Sequence, residues 1–218
     1  MTDRAGRVPN SIFDRGCRAC PRLAGFLDDV NSRHPEYYCR PVPPFGDAAA
    51  RLLIVGLAPG MHGANRTGRP FTGDHAGILL YETLHKFGFS TAAESRSADD
   101  GLQLLDCRIT NAVKCLPPDN KPVGAEINTC NRFLANELDT LESGSVVLAL
   151  GGIAHRAVVK ARGLRQAEYT FGHAADHDLG SFHMLDSYHC SRYNTNTGRL
   201  TPAMFDAVFA KAKGMLDK

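Results

Sequence analysis

Four short apolar runs, each closed by glycine, proline or a polar stretch, constrain this chain more than any other feature. They are 51–57, 107–113, Ser145 to Leu150, and 182–188. The first ends in Ala58-Pro59-Gly60 and the third in Gly151-Gly152. Runs this short and this continuously apolar read as strands buried on both faces of a parallel sheet. Helical spacing fills the gaps. Asp74 stands as an N-cap before Ile78, Leu79, Thr83 and Phe87, which fall on or near one stripe. Ile127, Phe133, Leu134, Leu138 and Leu141 mark a second helix. Thr201-Pro202 opens a last one carrying Phe205, Val208, Phe209 and Ala212, with proline at its favoured first position. Strands alternating with helices imply right-handed βαβ units. The expected fold is α/β: three layers, with a central, mostly parallel four-stranded sheet flanked by helices. The 218 residues suit a single domain.

The unusual polar segments all follow strand C-terminal ends: 56–74, 111–122, 151–156 and 189–201. In an open parallel sheet those ends share one edge, where ligands bind. Four segments are therefore expected to converge on one cleft. The glycine-rich stretch after the first strand lacks G-x-x-x-x-G-K-[ST], and its glycine spacing is wrong for a dinucleotide site. The formal charge of +2 permits a local phosphate-binding patch without requiring one. No run approaches the ~20 apolar residues of a membrane span, and Met1 to Asn10 is polar, with no apolar core of a secretory signal. The expectation is a cytoplasmic protein with no membrane partner. Seven cysteines in such a compartment point to a metal or cluster rather than to disulfides. Cys17-Arg-Ala-Cys20 pairs two thiols, and Cys115 and Cys130 supply two more. Four thiolates suit structural Zn²⁺ or a [4Fe–4S] cluster, and spacing alone leaves both open. Cys39, Cys107 and Cys190 read as buried apolar cysteines.

Gly56-Leu-Ala-Pro-Gly-Met-His-Gly-Ala-Asn-Arg-Thr-Gly-Arg-Pro-Phe-Thr-Gly-Asp74 resembles motif A of the family 5 (UDGb-type) uracil-DNA glycosylases, the iron–sulfur-containing branch of that superfamily. Thr110-Asn-Ala-Val-Lys-Cys-Leu-Pro-Pro-Asp-Asn-Lys-Pro122 resembles the segment joining the base-recognition asparagine to the third cluster cysteine. Leu150-Gly-Gly-Ile-Ala-His155 resembles the third strand-to-helix turn, and Ser187 through Thr201 resembles motif B with its minor-groove loop. The resemblance covers roughly residues 14–213. It implies a monofunctional DNA glycosylase of base-excision repair, acting on DNA containing uracil or other deaminated bases such as hypoxanthine. It also implies a [4Fe–4S] cluster on Cys17, Cys20, Cys115 and Cys130, with segment 14–46 contributing to the cluster site. A monomer is the default expectation. The chain departs from the family pattern at Cys190, where proline usually follows the motif B histidine, removing a φ constraint. Leu57 stands where other families carry a polar residue that positions water, and an apolar residue there is typical of family 5.

The chemistry assigns roles. A glycosylase extrudes its target base into a pocket, and fixed dipoles stabilise the leaving base and the developing sugar cation. His189 is expected to stabilise charge on the leaving base. Asp74 either orients water or stabilises the sugar cation, and reads equally as a helix cap. Asn65 and His62 are weaker candidates for positioning water. Phe71 is expected to stack on the base, Asn111 to read its edge with an amide donor and acceptor, and Gly56 to border it. Arg192, Tyr193, Asn194, Asn196 and Arg199 form a loop suited to the minor groove and phosphates, with Ser191 and His155 binding phosphate near helix N-termini. The rivals are a family 4-like enzyme strictly selective for uracil, a non-catalytic iron–sulfur module binding damaged DNA, and a zinc-containing nucleotide hydrolase. Leu57 weighs against the first. The joint presence of Asn111, Asp74 and His189 weighs against the second. The lack of metal-dependent hydrolase motifs weighs against the third.

Overall fold

The computed structural model describes residues 13–217, so the polar Met1 to Asn10 segment lies outside the described residues. The strands are β1 (Phe45–Gly46), β2 (Leu52–Gly56), β3 (Cys107–Asn111), β4 (Ser145–Leu150), β5 (Asp176–Asp178) and β6 (Phe182–Ser187). The helices are α1 (Pro21–Arg33), α2 (Ala64–Thr67), α3 (His75–Lys86), α4 (Gly124–Leu138), α5 (Gly152–Ala161), α6 (Arg192–Asn196) and α7 (Pro202–Leu216). The strands form one six-stranded sheet in the order β1-β3-β2-β4-β6-β5.

The expected parallel strands are its centre: β3, β2, β4 and β6 all run the same way. The four-stranded expectation is corrected at both edges, where β1 and β5 add short antiparallel strands. Neither carries the apolar run that betrays a buried strand. β1 is two residues long, and β5 is Asp-His-Asp.

Every residue of β2 and β4 is buried, because helices cover both faces. Alternation divides the side chains. Leu52, Ile54, Leu148 and Leu150 pack with Leu80 and Leu84 of α3 and Phe205 and Phe209 of α7. Leu53, Val55, Val147 and Ala149 face Leu134 and Leu138 of α4 and Ala157 and Val158 of α5. Thr201 caps α7 as its sequence proposes, accepting the Met204 N–H at 3.2 Å. On α3 the expected stripe holds in part: Thr83 is buried and Leu79 and Phe87 pack against the core, but the deepest face is Leu80, Tyr81 and Leu84, and Ile78 is 55% exposed. The cap at Asp74 starts the helix at His75, and that phase turns Ile78 outward.

Register sets the functional edge. Gly56 pairs with Asn111, and Leu150 with Ser187. The last residues of the four parallel strands therefore stand level, as the switch-point geometry requires.

Two ion pairs separate burial from contact. Lys114 and Glu137 meet at 2.6 Å, each 1% exposed, with Lys114 also donating to the Thr110 hydroxyl. Arg162 and Asp139 meet at 2.9 Å at the surface. Glu137→Ala strands a buried ammonium and should cost about 3–5 kcal/mol, whereas Asp139→Ala should cost less than about 1 kcal/mol. Urea denaturation of the two variants beside the parent checks the contrast.

Candidate active site

A cavity of about 480 Å³ opens at the C-terminal edge of the sheet, bordered by Leu57, Phe71, Asp74, Asn111, Ile153 and His189. All four sequence segments expected to converge supply part of its wall. The convergence depends on glycine at the end of β2. A Cβ on Gly56 would run into the Asn111 side-chain oxygen and the Phe71 ring. Gly56 thus serves the cavity by close approach of its neighbours.

Asn111 is 4% exposed, and its Oδ1 is buried with no hydrogen-bond partner among the described residues. Phe71 adopts φ 53°, a left-handed conformation that costs a non-glycine residue energy unless its surroundings enforce it. Here they do. The buried Arg69 guanidinium donates to Asp100 at 2.6 Å, to Ser95 at 3.0 Å and to the Ala98 carbonyl at 2.6 Å. Thr72 and Ser95 hydroxyls meet at 2.8 Å, and Tyr81 donates to the Pro70 carbonyl at 3.0 Å. Burial alone would raise the Asp100 carboxyl, but Arg69 and neighbouring backbone N–H groups hold it down at about 2.

The Phe71 ring lies nearly parallel to the His189 imidazole, with centroids 5.9 Å apart. Burial pushes His189 down to about 4, so the ring is neutral at pH 7, and its Nδ1 has no partner among the described residues. The missing proline at position 190 is compensated. Cys190 is fully buried, and the Asn194 side-chain amide donates to the His189 carbonyl at 2.8 Å.

Asp74 has both roles within reach. Its Oδ1 accepts the Gly77 N–H at 2.9 Å and caps α3. Its other oxygen faces Gly60 and Gly63, and a Cβ on Gly63 would collide with it. Burial raises its pKa above the ordinary aspartate value.

Three expected site residues stand elsewhere. Asn65 is fully buried on α2 with Nδ2 3.5 Å from the Cys39 sulfur, where the turn of α2 aims it away from the cavity. His62 is exposed and accepts or donates at 2.9 Å with the Tyr37 hydroxyl, also outside the cavity. His155 is 1% exposed; its backbone N–H is spent on Gly151, and both ring nitrogens are engaged inside the protein. A phosphate cannot reach it. Gly152 and Ile153, which open α5, border the cavity in its place.

In motif B, Ser191 and Arg192 border the cavity, and the expected loop is the short helix α6, capped by Ser191. Tyr193 is 70% exposed, Asn194 is committed to His189, and Asn196 is exposed. The Arg199 guanidinium lies over the Tyr188 ring at 4.6 Å. Asn120 also borders the cavity, held at φ 55°; its place between Asp119 and Lys121 gave no distinct signal.

Cys17, Cys20, Cys115 and Cys130 are unbridged and line one small cavity with Leu23, Val113 and Phe133. Burial, and then Cys130, Cys17 and Cys20, push Cys115 up to about 12. Four such thiols ionise together only around compensating positive charge, so the donor set fits a metal or cluster. Cys107 and Cys190 are buried in the main core apart from this group, whereas Cys39 is buried in a cluster against which Cys115 packs.

Residues 43–213 match the family model of the Uracil DNA glycosylase superfamily. A type-5 uracil-DNA glycosylase of Thermus thermophilus is 48% identical, covering 90% of this chain and 92% of that protein. One from Mycobacterium leprae is 44% identical, covering 98% and 97%. The crystal structure of wild-type SMUG2 from Pedobacter heparinus shares the fold with a TM-score of 0.51 at 14% identity, over 89% of this chain and 85% of that one. A level row of four strand ends, an unpartnered asparagine and a neutral histidine thus sit in a chain that belongs to the uracil DNA glycosylase superfamily, in its type-5 branch.

Proposed function

We propose that the protein hydrolyses the N-glycosidic bond joining uracil to deoxyribose in DNA, opening base-excision repair. The observation that carries this reading is a pair of buried polar atoms without partners, Asn111 Oδ1 and His189 Nδ1, beside the Phe71 ring. A buried orphan polar group costs about 1–3 kcal/mol, and an extruded pyrimidine would repay Asn111 by donating its ring N–H.

The extruded base lies on Phe71 with its edge against Asn111. A neutral His189 donates a ring N–H to the base oxygen that gains charge as the bond breaks. Held neutral before the reaction, it is already oriented for the charge that develops. Asp74 keeps one oxygen on the helix cap and offers the other to the water and the developing sugar cation. Arg192 and the Gly152 and Ile153 amides at the start of α5 suit phosphates flanking the base, while Tyr193 and Asn196, both exposed, face the groove. The family resemblance extends the reading to hypoxanthine as well as uracil.

The same reading places a [4Fe–4S] cluster on Cys17, Cys20, Cys115 and Cys130. The four thiols line one cavity, a donor set that suits zinc or a cluster, and the resemblance to the iron–sulfur-containing branch favours the cluster. Hydrolysis moves no electrons, so the bound cluster supplies a tie between the N-terminal segment and the strand that ends at Asn111.

Anaerobically purified protein should release free uracil from duplexes carrying one U·G or U·A pair, scored by alkaline cleavage of the abasic site. His189→Ala should slow release about 10²–10³-fold. Asp74→Asn, which keeps a capping oxygen, should separate the chemical role from the cap. Binding without release of uracil or hypoxanthine would replace the enzyme reading with the non-catalytic module.

The depressed His189 pKa sets the pH response. The ring stays neutral as pH falls through the ordinary imidazole value of about 6.5 and protonates only near 4. Single-turnover rates should therefore show no inflection near 6.5 that disappears in His189→Ala. For stability, the unfolded chain takes up this proton first, so the contribution is full above about 6.5 and is lost as pH falls toward 4. Cys115→Ala should lose cluster iron and its visible absorbance.

A further inference from the structure

Behind the cavity wall, three side chains meet that base release does not itself employ. His155 lies in the first turn of α5, Asp186 is the penultimate residue of β6, and His177 lies in edge strand β5. Asp186 is fully buried. Its Oδ1 stands 2.8 Å from His155 Nδ1, and its Oδ2 stands 3.0 Å from His177 Nε2 and 3.3 Å from the Gly172 N–H. The other His155 nitrogen, Nε2, is 2.9 Å from the Tyr169 carbonyl.

A carbonyl only accepts, so His155 Nε2 carries the proton that meets Tyr169. Burial lowers the His155 pKa and Arg156 opposes its charge, but Asp186 and the Tyr169 carbonyl win and raise it.

These three ligating atoms also lie within 4.8 Å of one another. The geometry nevertheless belongs to protons. Each ring nitrogen is in hydrogen-bonding geometry with a carboxylate oxygen, whereas a metal needs a common point about 2 Å from every ligand.

The cluster clamps segment 169–177 onto the end of β6. The Asp186 backbone accepts the Ala174 N–H at 2.8 Å and donates to the Ala175 carbonyl at 2.9 Å. The clamped segment carries His173, whose ring stacks on Tyr188 with centroids 5.0 Å apart and whose Nδ1 accepts the Tyr188 N–H at 3.2 Å. It also carries Phe171, which packs beside Gly152 at the start of α5. Tyr188 immediately precedes His189.

Resting on the glycosylase reading, we propose that His155, Asp186 and His177 are positioning residues that hold the Tyr188–His189 backbone and the α5 N-terminus in place through His173 and Phe171. They touch no reacting atom. Their effect is on where His189 stands when the base leaves.

The test pairs hydrogen–deuterium exchange on the full-length, cluster-loaded protein with single-turnover uracil release at saturating protein and separately measured DNA affinity. Asp186→Ala removes the hub, and His177→Ala is the milder variant should the first fail to fold. Asp186→Asn is the conservative control. Its amide donates to a neutral His155 Nδ1, and its oxygen still accepts from His177 and Gly172. The two alanine variants should exchange faster at 169–177 and at Tyr188 to Cys190. They should release base roughly tenfold more slowly or worse, with DNA affinity changed less than about twofold. Asp186→Asn should stay near the parent in both readouts.

Unchanged exchange at Tyr188 to Cys190 in the alanine variants overturns the proposal, whatever the activity. So does an Asp186→Asn variant as impaired as His177→Ala. Stoichiometric divalent metal, in addition to iron, that is lost in Asp186→Ala overturns it in favour of a metal site. A parent protein that releases no base sinks the glycosylase reading instead, while the exchange data still decide this one.

Discussion

The close approach of three residues over a missing Cβ at Gly56 is the constraint on which the site depends. The strand must end there for Asn111 to stand beside it in register, and the Phe71 ring must enter the space a side chain would fill. Phe71 reaches that space only in a left-handed backbone conformation. The buried Arg69–Asp100 pair, with Thr72, Ser95 and Tyr81, absorbs the cost by leaving the backbone no relaxed alternative. Deep burial of Arg69 makes sense in those terms.

Electrostatics then follow from enclosure. Burial alone acts on the His189 ring and pushes its pKa down to about 4. His155 is more fully enclosed but meets Asp186, and its pKa is raised. Two histidines near one sheet edge are thus driven in opposite directions by the presence or absence of a carboxylate partner. The one pushed down faces the cavity and the one pushed up faces the scaffold.

Much of this was legible in the sequence, for identifiable reasons. Continuous apolar runs marked the four central strands, and their polar sequels marked the cleft, because a parallel sheet sends its connections to one edge. Read together with the family resemblance, those segments pointed to Gly56, Phe71, Asp74, Asn111 and His189, and all of them border or shape the cavity. Edge strands β1 and β5 were not legible, since a two-residue strand and a polar triplet carry no period. Asn65, His62 and His155 were misplaced for a related reason. Position in a motif fixes the neighbourhood of a residue, but the direction of its side chain depends on the local turn, and a short helix such as α2 rotates by about 100° per residue. The triad of His155, Asp186 and His177 spans segments with no shared motif, so only the folded chain brings it together.

The bond from Asn194 to the His189 carbonyl has an effect beyond geometry. A proline ring after the histidine would limit the backbone at every temperature, since its restraint is covalent. A hydrogen bond worth about 1 kcal/mol opens and closes thermally. By moving the restraint from position 190 to position 194, the chain frees 190 to hold any small side chain that fills the buried space. In exchange, the setting of its histidine becomes something that heat can loosen before the sheet itself gives way.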